Sequence, residues 1–551
     1  STYLLLVGML VLFVRSRALS YLLLSLYFLI SLCDWYTWFI INRPFHFADI
    51  QRAIEFAYYF KGFSVLSPGM AWKLGIMLIS MAPAGIILWA LPGMKKKAWD
   101  RHVAHASLLC LGCYGILLPC LIGSYDLRRN SMVRMAGEIL YEYRLRHPPT
   151  AEMDIRKVLG TCQNRVAVLS PPKNRDANIV IFVLETTPYR FYNDSVTQFS
   201  RQIQDAFHLN AWTMREHYTT YPESDRAILS IMTGKYPPLE RGAGWVRSYD
   251  YAGSLPRVLK DFGYKTFMLS TAPLDFHDNR YLMEALGFET IVDSSLAKKA
   301  LTIKDKARVF ERTKLYDADR ELTSKAQAII SSHPAQPYLL VIAPQASHAP
   351  FQRPPHYEGD ASQASLIKAN AGWQLEQIQR IIRTLSEQGQ LDRTWVIVTG
   401  DHGLRHPAET ALFADLKRLS ADTFHVPFLL FARRDLPPTV LQPSSHIDIT
   451  PTILDLLGIP YPPYTYQGRN PGRECKRSVF WLGGDYLPAS GFTTQGRYFM
   501  ENRNLGLVLK SPRFDFSPDR KSGAERCTES EQRIVACNLD LIKRLLLKSA
   551  D

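Results

Sequence analysis

A chain of 551 residues can bury a large core and is too long for one small domain. At 47% hydrophobic and 21% charged residues, it is neither a disordered chain nor a collagen-like one. The formal net charge of +14 suits an anionic membrane surface or an anionic substrate. Nucleic acid is not the expected partner, because the sequence has no zinc-finger spacing and no arginine-rich arm.

The mean hydropathy of −0.11 averages over an uneven chain. Four apolar segments, 3–14, 18–41, 72–91 and 107–122, crowd into residues 1–125. A membrane-spanning helix takes about 20 apolar residues. The last three segments are read as transmembrane helices and the first as a truncated one. The chain starts inside that first run, which predicts that the natural N-terminus lies upstream of Ser1. Arg15 and Arg17 flank the first turn, and Lys95, Lys96, Lys97 and Arg101 fill the connection between the third and fourth spans. Short basic loops stay in the cytoplasm, so the loop 42–70 and everything after 125 are expected outside. Residues 56–63 (FAYYFKGF) read as an amphipathic stretch at the membrane interface.

Residues 126–177 are polar and arginine-rich, a linker with a helical segment that ends at Pro148-Pro149. From 178 the pattern alternates. Short apolar runs rich in β-branched and aromatic residues (179–184, 265–270, 338–342, 395–399 and 427–431) are separated by helical stretches such as 371–388. That alternation predicts an α/β domain over 178–474, a mainly parallel sheet with helices on both faces. Its ligands are expected at the carboxyl ends of the strands. Residues 475–551 are expected to complete the domain as irregular chain or a small sheet. Outside the spans lie Cys162, Cys475, Cys527 and Cys537. In an oxidising compartment these allow two disulfides, with Cys527–Cys537 the natural local pair.

Chemistry concentrates at three places. Glu185 directly follows the run IVIFVL, and Asp401-His402 directly follows WVIVTG. Two carboxylates and an imidazole make a donor set for Zn²⁺ or Mn²⁺, although one Asp-His pair at a strand end also reads as a turn or a helix cap. The third place is 221–237, YPESDRAILSIMTGKYP. Ser224 precedes a helical run there, which reads as an N-cap or as a nucleophile facing an anion at the positive end of the helix. A metal ion touching its Oγ would lower the hydroxyl pKa and polarise a phosphoryl oxygen. Arg226 reads as a phosphate clamp or as the ion-pair partner of Asp225 or Glu223. His446 and Asp448 read as packing and capping residues of the helix that follows, and His356 and His406 as loop residues.

Between 178 and 455 these segments resemble the alkaline phosphatase/sulfatase superfamily. The likeness is narrower to its membrane-anchored branch of lipoteichoic acid synthases, phosphoglycerol transferases and phosphoethanolamine transferases. The landmarks keep the family order: Glu185, the helix ending TGKYP, Ser347-His348-Ala349-Pro350-Phe351, TGDHG at 399–403, His425-Val426-Pro427, and SHIDITPTILDLLG at 445–458. The resemblance implies an alkaline phosphatase-like fold behind an α-helical transmembrane domain. It also implies one divalent metal, zinc first with manganese or magnesium as alternatives, held by Glu185, Ser224, Asp401 and His402. Ser224 would double as the nucleophile, placed ten residues before Gly234 as the formylglycine precursor is in sulfatases. His348 and His425 would bind the substrate. The sulfatase sequence around the nucleophile is absent, since Arg226 and Ile228 stand where proline and arginine are required. Thr219 and Thr220 remain fallback nucleophiles, because the transferase branch generally uses threonine. Thr186 stands where sulfatases carry a second carboxylate, which favours a single metal.

The implied enzyme is a multi-pass protein of the bacterial inner membrane with its catalytic domain periplasmic or extracellular. It would move phosphoethanolamine or phosphoglycerol from a phospholipid donor to an envelope glycan or lipid acceptor. A hydrolase of the same superfamily, or an inactive binding or assembly protein, are the alternatives.

Overall fold

A computed structural model describes residues 176–548 except 240–244, 273, 275–277, 294–313, 334, 349–350, 405–422, 434–442, 463–464, 473–477, 484–488, 495, 503–506 and 513–524. The four apolar segments, the basic loops, the linker up to 175, His406, Cys162 and Cys475 lie outside the described residues. Among those described, no helix is long and apolar enough to cross a membrane.

Asn178–Leu184 (β1) is buried along its whole length. Ile179, Ile181 and Val183 join one apolar core, and Val180, Phe182 and Leu184 join another. Side chains alternate across a strand, so a run apolar at every position must be covered on both faces. After β1 come Tyr189–Phe207 (α1), Asn210–Thr213 (β2), His217–Tyr218 (β3), Ser224–Thr233 (α2), Leu255–Asp261 (α3) and Lys265–Ser270 (β4). Asn279–Leu286 (α4), Thr290–Asp293 (β5), Lys314–Ser332 (α5), Tyr338–Ala343 (β6) and Gln363–Glu387 (α6) follow. Next are Thr394–Gly400 (β7), Phe428–Ala432 (β8), Ser444–Ser445 (β9) and Ile449–Leu457 (α7).

The main sheet has the order β2-β8-β7-β1-β6-β4-β5. Residues of α2, α3, α4 and α7 line one face (Leu229, Leu255, Leu282, Ile453). Residues of α1, α5 and α6 line the other (Ile203, Leu322, Ile378). The layered α/β architecture is therefore the expected one.

Five strands, β7, β1, β6, β4 and β5, are parallel. The exception is β8, which runs antiparallel to β7, with β2 antiparallel to β8. Gly403 N–H bonds the Thr423 carbonyl at 2.9 Å, so the chain re-enters the sheet from the end at which β7 left it. A strand entered from that end must run the other way.

Five further strands form an antiparallel sheet in sequence order: Val479–Trp481 (β10), Ala489–Thr494 (β11), Arg497–Asn502 (β12), Leu507–Ser511 (β13) and Glu525–Arg526 (β14). Glu529–Lys548 (α8) packs on it through Val535, Leu539 and Ile542, in a core that also takes in Tyr221 and Tyr236 on either side of α2. Leu482 N–H bonds Thr220 O at 2.9 Å, tying this sheet to the segment that leads into α2. Cys527 is buried with a free thiol, pushed up to about 11 by burial. The local pair with Cys537 is not made.

Candidate metal centre and nucleophile

β1 and β7 are neighbours in register, Leu184 opposite Gly400. Glu185 and Asp401-His402 therefore leave the sheet side by side at its carboxyl edge. Glu185, Asp401 and His402 are buried, and one ligand atom from each lies within 4.8 Å of the others. His402 Nε2 is 3.7 Å from Glu185 Oε1 and 3.5 Å from Asp401 Oδ2. Its other nitrogen, Nδ1, is 2.7 Å from the Gly403 carbonyl. A carbonyl only accepts, so Nδ1 carries the proton and Nε2 presents a lone pair to the two carboxylates.

Backbone geometry aims the carboxylates. Thr186 takes a left-handed conformation (φ 48°), strained for a β-branched residue. That turn lets Thr186 N–H donate to Asp401 Oδ1 at 2.9 Å, beside His402 N–H on the same oxygen at 2.6 Å. With Oδ1 held by two amides, Oδ2 faces His402. Thr186 Oγ1 donates to Glu185 Oε1 at 2.6 Å. Burial, and then the neighbouring Glu185 charge, hold the Asp401 carboxyl well above the usual carboxylate range. A dication would relieve that repulsion, and the set of two carboxylates and an imidazole lone pair is one zinc accepts. The residues fit the metal.

Gly400 leaves the strand end room for Thr187, because a Cβ there would sit 1.7 Å from Thr187 Oγ1.

Ser224 completes the group. Glu223, extended at φ −139° and ψ 136°, takes the N-cap position, so Ser224 is the first residue of α2 and not its cap. Its hydroxyl donates to Glu185 Oε2 at 3.1 Å and lies 3.5 Å from His402 Nε2. Ser224 is half-buried, the only partly open member of the group. The helix closes at Gly234 (φ +62°), where a Cβ would come within 2.8 Å of the Tyr466 ring. The fallback nucleophiles face elsewhere. Thr219 and Thr220 are fully buried, with Thr219 Oγ1 bonded to Tyr221 O at 2.8 Å and Thr220 Oγ1 to Ser230 Oγ at 2.8 Å.

Arg226 is buried, paired with Glu223 at 3.3 Å and laid over the Tyr221 and Trp245 rings. The ion pair is the contact made here, and it anchors the start of α2.

His348 and His425 are not among the side chains at ligand distance. His348 is half-buried on the turn after β6, its N–H bonded to Gln345 O at 3.0 Å. His425 stacks on Tyr189 with ring centroids 4.0 Å apart, and its Nε2 donates to the Arg215 carbonyl at 2.7 Å. Burial holds its pKa down to about 4.

Sequence reasoning missed four contributors. Thr186 supplies the turn. Gln345 Nε2 donates to Glu185 Oε2 at 3.1 Å, and Ser347 Oγ donates to the Glu185 carbonyl. His446 Nε2 donates to the Gly400 carbonyl at 2.8 Å, just before Asp401. Ser347 and His446 carried a signal, their places in the Ser-His-Ala-Pro-Phe and SHIDITPTILDLLG landmarks, and Thr186 was marked only as a missing carboxylate.

An α/β sheet with a buried triad of candidate metal ligands at its carboxyl edge and a hydroxyl at a helix start is the arrangement of an alkaline phosphatase-like protein. The sulfatase family model matches residues 177–459, and the chain belongs to that family. Lipoteichoic acid synthase 2 of Bacillus subtilis is 22% identical over 332 residues, 57% of this chain and 48% of the relative. The match thus spans about half the length of that curated relative. The lipoteichoic acid synthase LtaP of Listeria monocytogenes superposes with a TM-score of 0.55 at 17% identity, over 72% of this chain and 96% of that one. An alkaline phosphatase superfamily protein of Vibrio parahaemolyticus gives 0.52 at 16% identity, over the same shares. At these identities the solved structures speak to the fold.

Proposed function

We propose that the protein is a membrane-anchored, metal-dependent transferase. It moves a phospholipid head group, phosphoethanolamine or phosphoglycerol, to a glycan or lipid of the cell envelope. The observation that carries this reading is Ser224 Oγ, half-open at a helix start and within 3.5 Å of both Glu185 and His402. Similarity to a lipoteichoic acid synthase supports transfer over simple hydrolysis. The four apolar segments support a site beside the outer leaflet, where a donor lipid would lie.

Glu185, Asp401 and His402 would hold zinc, with Ser224 as the fourth ligand. When bound, the ion supplies Lewis acidity that favours the serine alkoxide and polarises the phosphoryl oxygen. Ser224 Oγ attacks phosphorus, and the bond to the diacylglycerol oxygen breaks, leaving the head group on Ser224 as a phosphodiester. An acceptor hydroxyl then attacks the same phosphorus and frees Ser224. The amide N–H groups at the start of α2 lie at its positive end and favour the phosphoryl charge. In this reading His348 and His425, both partly open, contact the substrate, His348 from the turn after β6 that also bonds Glu185.

The mass of the Ser224 peptide after incubation with lipid donor tests the proposal. A head-group phosphodiester is expected, and it disappears on adding acceptor. No adduct, with release of free head group into water, overturns the transfer reading in favour of hydrolysis.

A further inference from the structure

Glu185 has three rotatable side-chain bonds, yet a metal ligand must be held to a fraction of an ångström. Its Oε2 receives Ser224 Oγ at 3.1 Å and Gln345 Nε2 at 3.1 Å. Gln345 is as long and flexible as Glu185, so it can orient a partner only if its own backbone is fixed. That backbone is held by a residue remote from the site. Asp319 on α5 is 1% exposed, and Gln345 N–H donates to its Oδ1 at 3.0 Å while Ala346 N–H donates to its Oδ2 at 3.1 Å. Thr271, just past β4, donates its Oγ1 to the same carboxylate at 2.7 Å. A buried carboxylate is expensive unless fully hydrogen-bonded. This one gathers its bonds from the turn after β6 and from the end of β4.

A second arm reaches the same glutamate. Ser347 Oγ donates to the Glu185 carbonyl, Gln374 Nε2 on α6 donates to Ser347 Oγ at 2.6 Å, and Tyr192 OH on α1 donates to Gln374 Oε1 at 2.7 Å. Both arms act on Glu185 through residues 345–347.

We propose that Asp319 and Gln345 form a brace that orients the Glu185 carboxylate, Gln345 as the positioning residue and Asp319 as its anchor. The inference rests on Glu185 being a metal ligand, and not on which head group is transferred. Gln345→Met keeps the length and apolar stem and removes the donor. Asp319→Asn keeps one acceptor oxygen and loses the other. Outer contacts of this kind change metal affinity by about 10–100-fold.

The test uses the full chain, with zinc affinity measured by chelator competition and thermal unfolding measured in chelator. Gln345→Met is expected to weaken zinc binding by about 10–100-fold with the metal-free melting temperature unchanged. Asp319→Asn is expected to weaken it less, and Asp319→Ala more. Parental zinc affinity in Gln345→Met overturns the brace, as does a loss of affinity matched by an equal loss of metal-free stability. An unsubstituted chain that binds no zinc overturns it too. A chain that binds zinc, shows the Gln345 effect and transfers no head group leaves the brace standing and removes the proposed function alone.

Discussion

His402 Nε2 lies 3.5 Å from Ser224 Oγ while the opposite ring nitrogen is tied to the Gly403 carbonyl at 2.7 Å. The tautomer is fixed by the backbone, so the lone pair and the hydroxyl face one point. Ser224→Ala should then abolish turnover and leave the melting temperature nearly unchanged, because Glu223 holds the N-cap and the variant loses one hydrogen bond worth about 1 kcal/mol. Thr219→Ala and Thr220→Ala should keep their turnover. Activity in folded Ser224→Ala would refute the assignment.

The buried Glu185–Asp401 pair has opposite effects with and without metal. Asp401→Asn should lose zinc binding and turnover. Measured in chelator, the same variant should melt above the parent, because a carboxylate raised by burial and by its neighbour's charge is removed. Equal melting temperatures in chelator would show that the two charges do not repel in the metal-free protein.

Gly400→Ala sets a methyl against Thr187 Oγ1, with 1.7 Å between them before relaxation. Overpacking of this kind costs about 1–3 kcal/mol, and here it also shifts the strand end that bears Asp401 and His402. Zinc affinity should fall along with stability. Adding Thr187→Ala removes the hydroxyl and leaves Cβ at 3.0 Å, so the double variant should recover part of both losses. Strict additivity of the two substitutions, measured by denaturant unfolding, would contradict the contact.

Acid should destabilise the domain through its histidines. Burial holds His446 down to about 3 and His425 to about 4, below the ordinary 6.5. The unfolded chain therefore takes up protons that the folded one refuses. Their contribution is complete above pH 6.5 and is lost as pH falls through that value toward the folded pKa values, at about 1.4 kcal/mol per unit for a fully buried group such as His446. Asp319, raised to about 6 by burial, acts the other way, since its carboxylate form weakens the fold as pH rises from about 4 to 6. Asp401, also held above the usual carboxylate range, acts with Asp319, so the comparison that isolates the histidine is between proteins: from pH 7 to 5 His446→Asn should lose less stability than the parent. An unchanged slope in that variant would show that His446 does not stay neutral.

The central strands were legible because each is a run apolar on both faces and long enough to stand out, as in IVIFVL and WVIVTG. The edge strands β2 (NAWT) and β5 (TIVD) were not, since four residues with an exposed member carry little pattern. The reversed direction of β8 has no signature of its own, as it depends on the end of the sheet from which the chain re-enters. At the site, Glu185, Ser224, Asp401 and His402 could be read from their positions after strands or before a helix. Gln345 and Asp319 could not. They meet through backbone N–H groups, which any residue offers, and Asp319 sits inside an ordinary amphipathic helix.

One consequence of the β1–β7 pairing concerns biosynthesis. Thr186 and Asp401, bonded to each other, are 215 residues apart in the chain. The first carboxylate emerges early and has no partner until the strand carrying Asp401 and His402 has been made and has found β1. On the proposed ligand set, a nascent or prematurely ended chain that stops short of β7 would offer a metal only Glu185 and Ser224, two of its four donors. Metal loading would then report completed synthesis and correct long-range pairing together, leaving partial chains chemically silent.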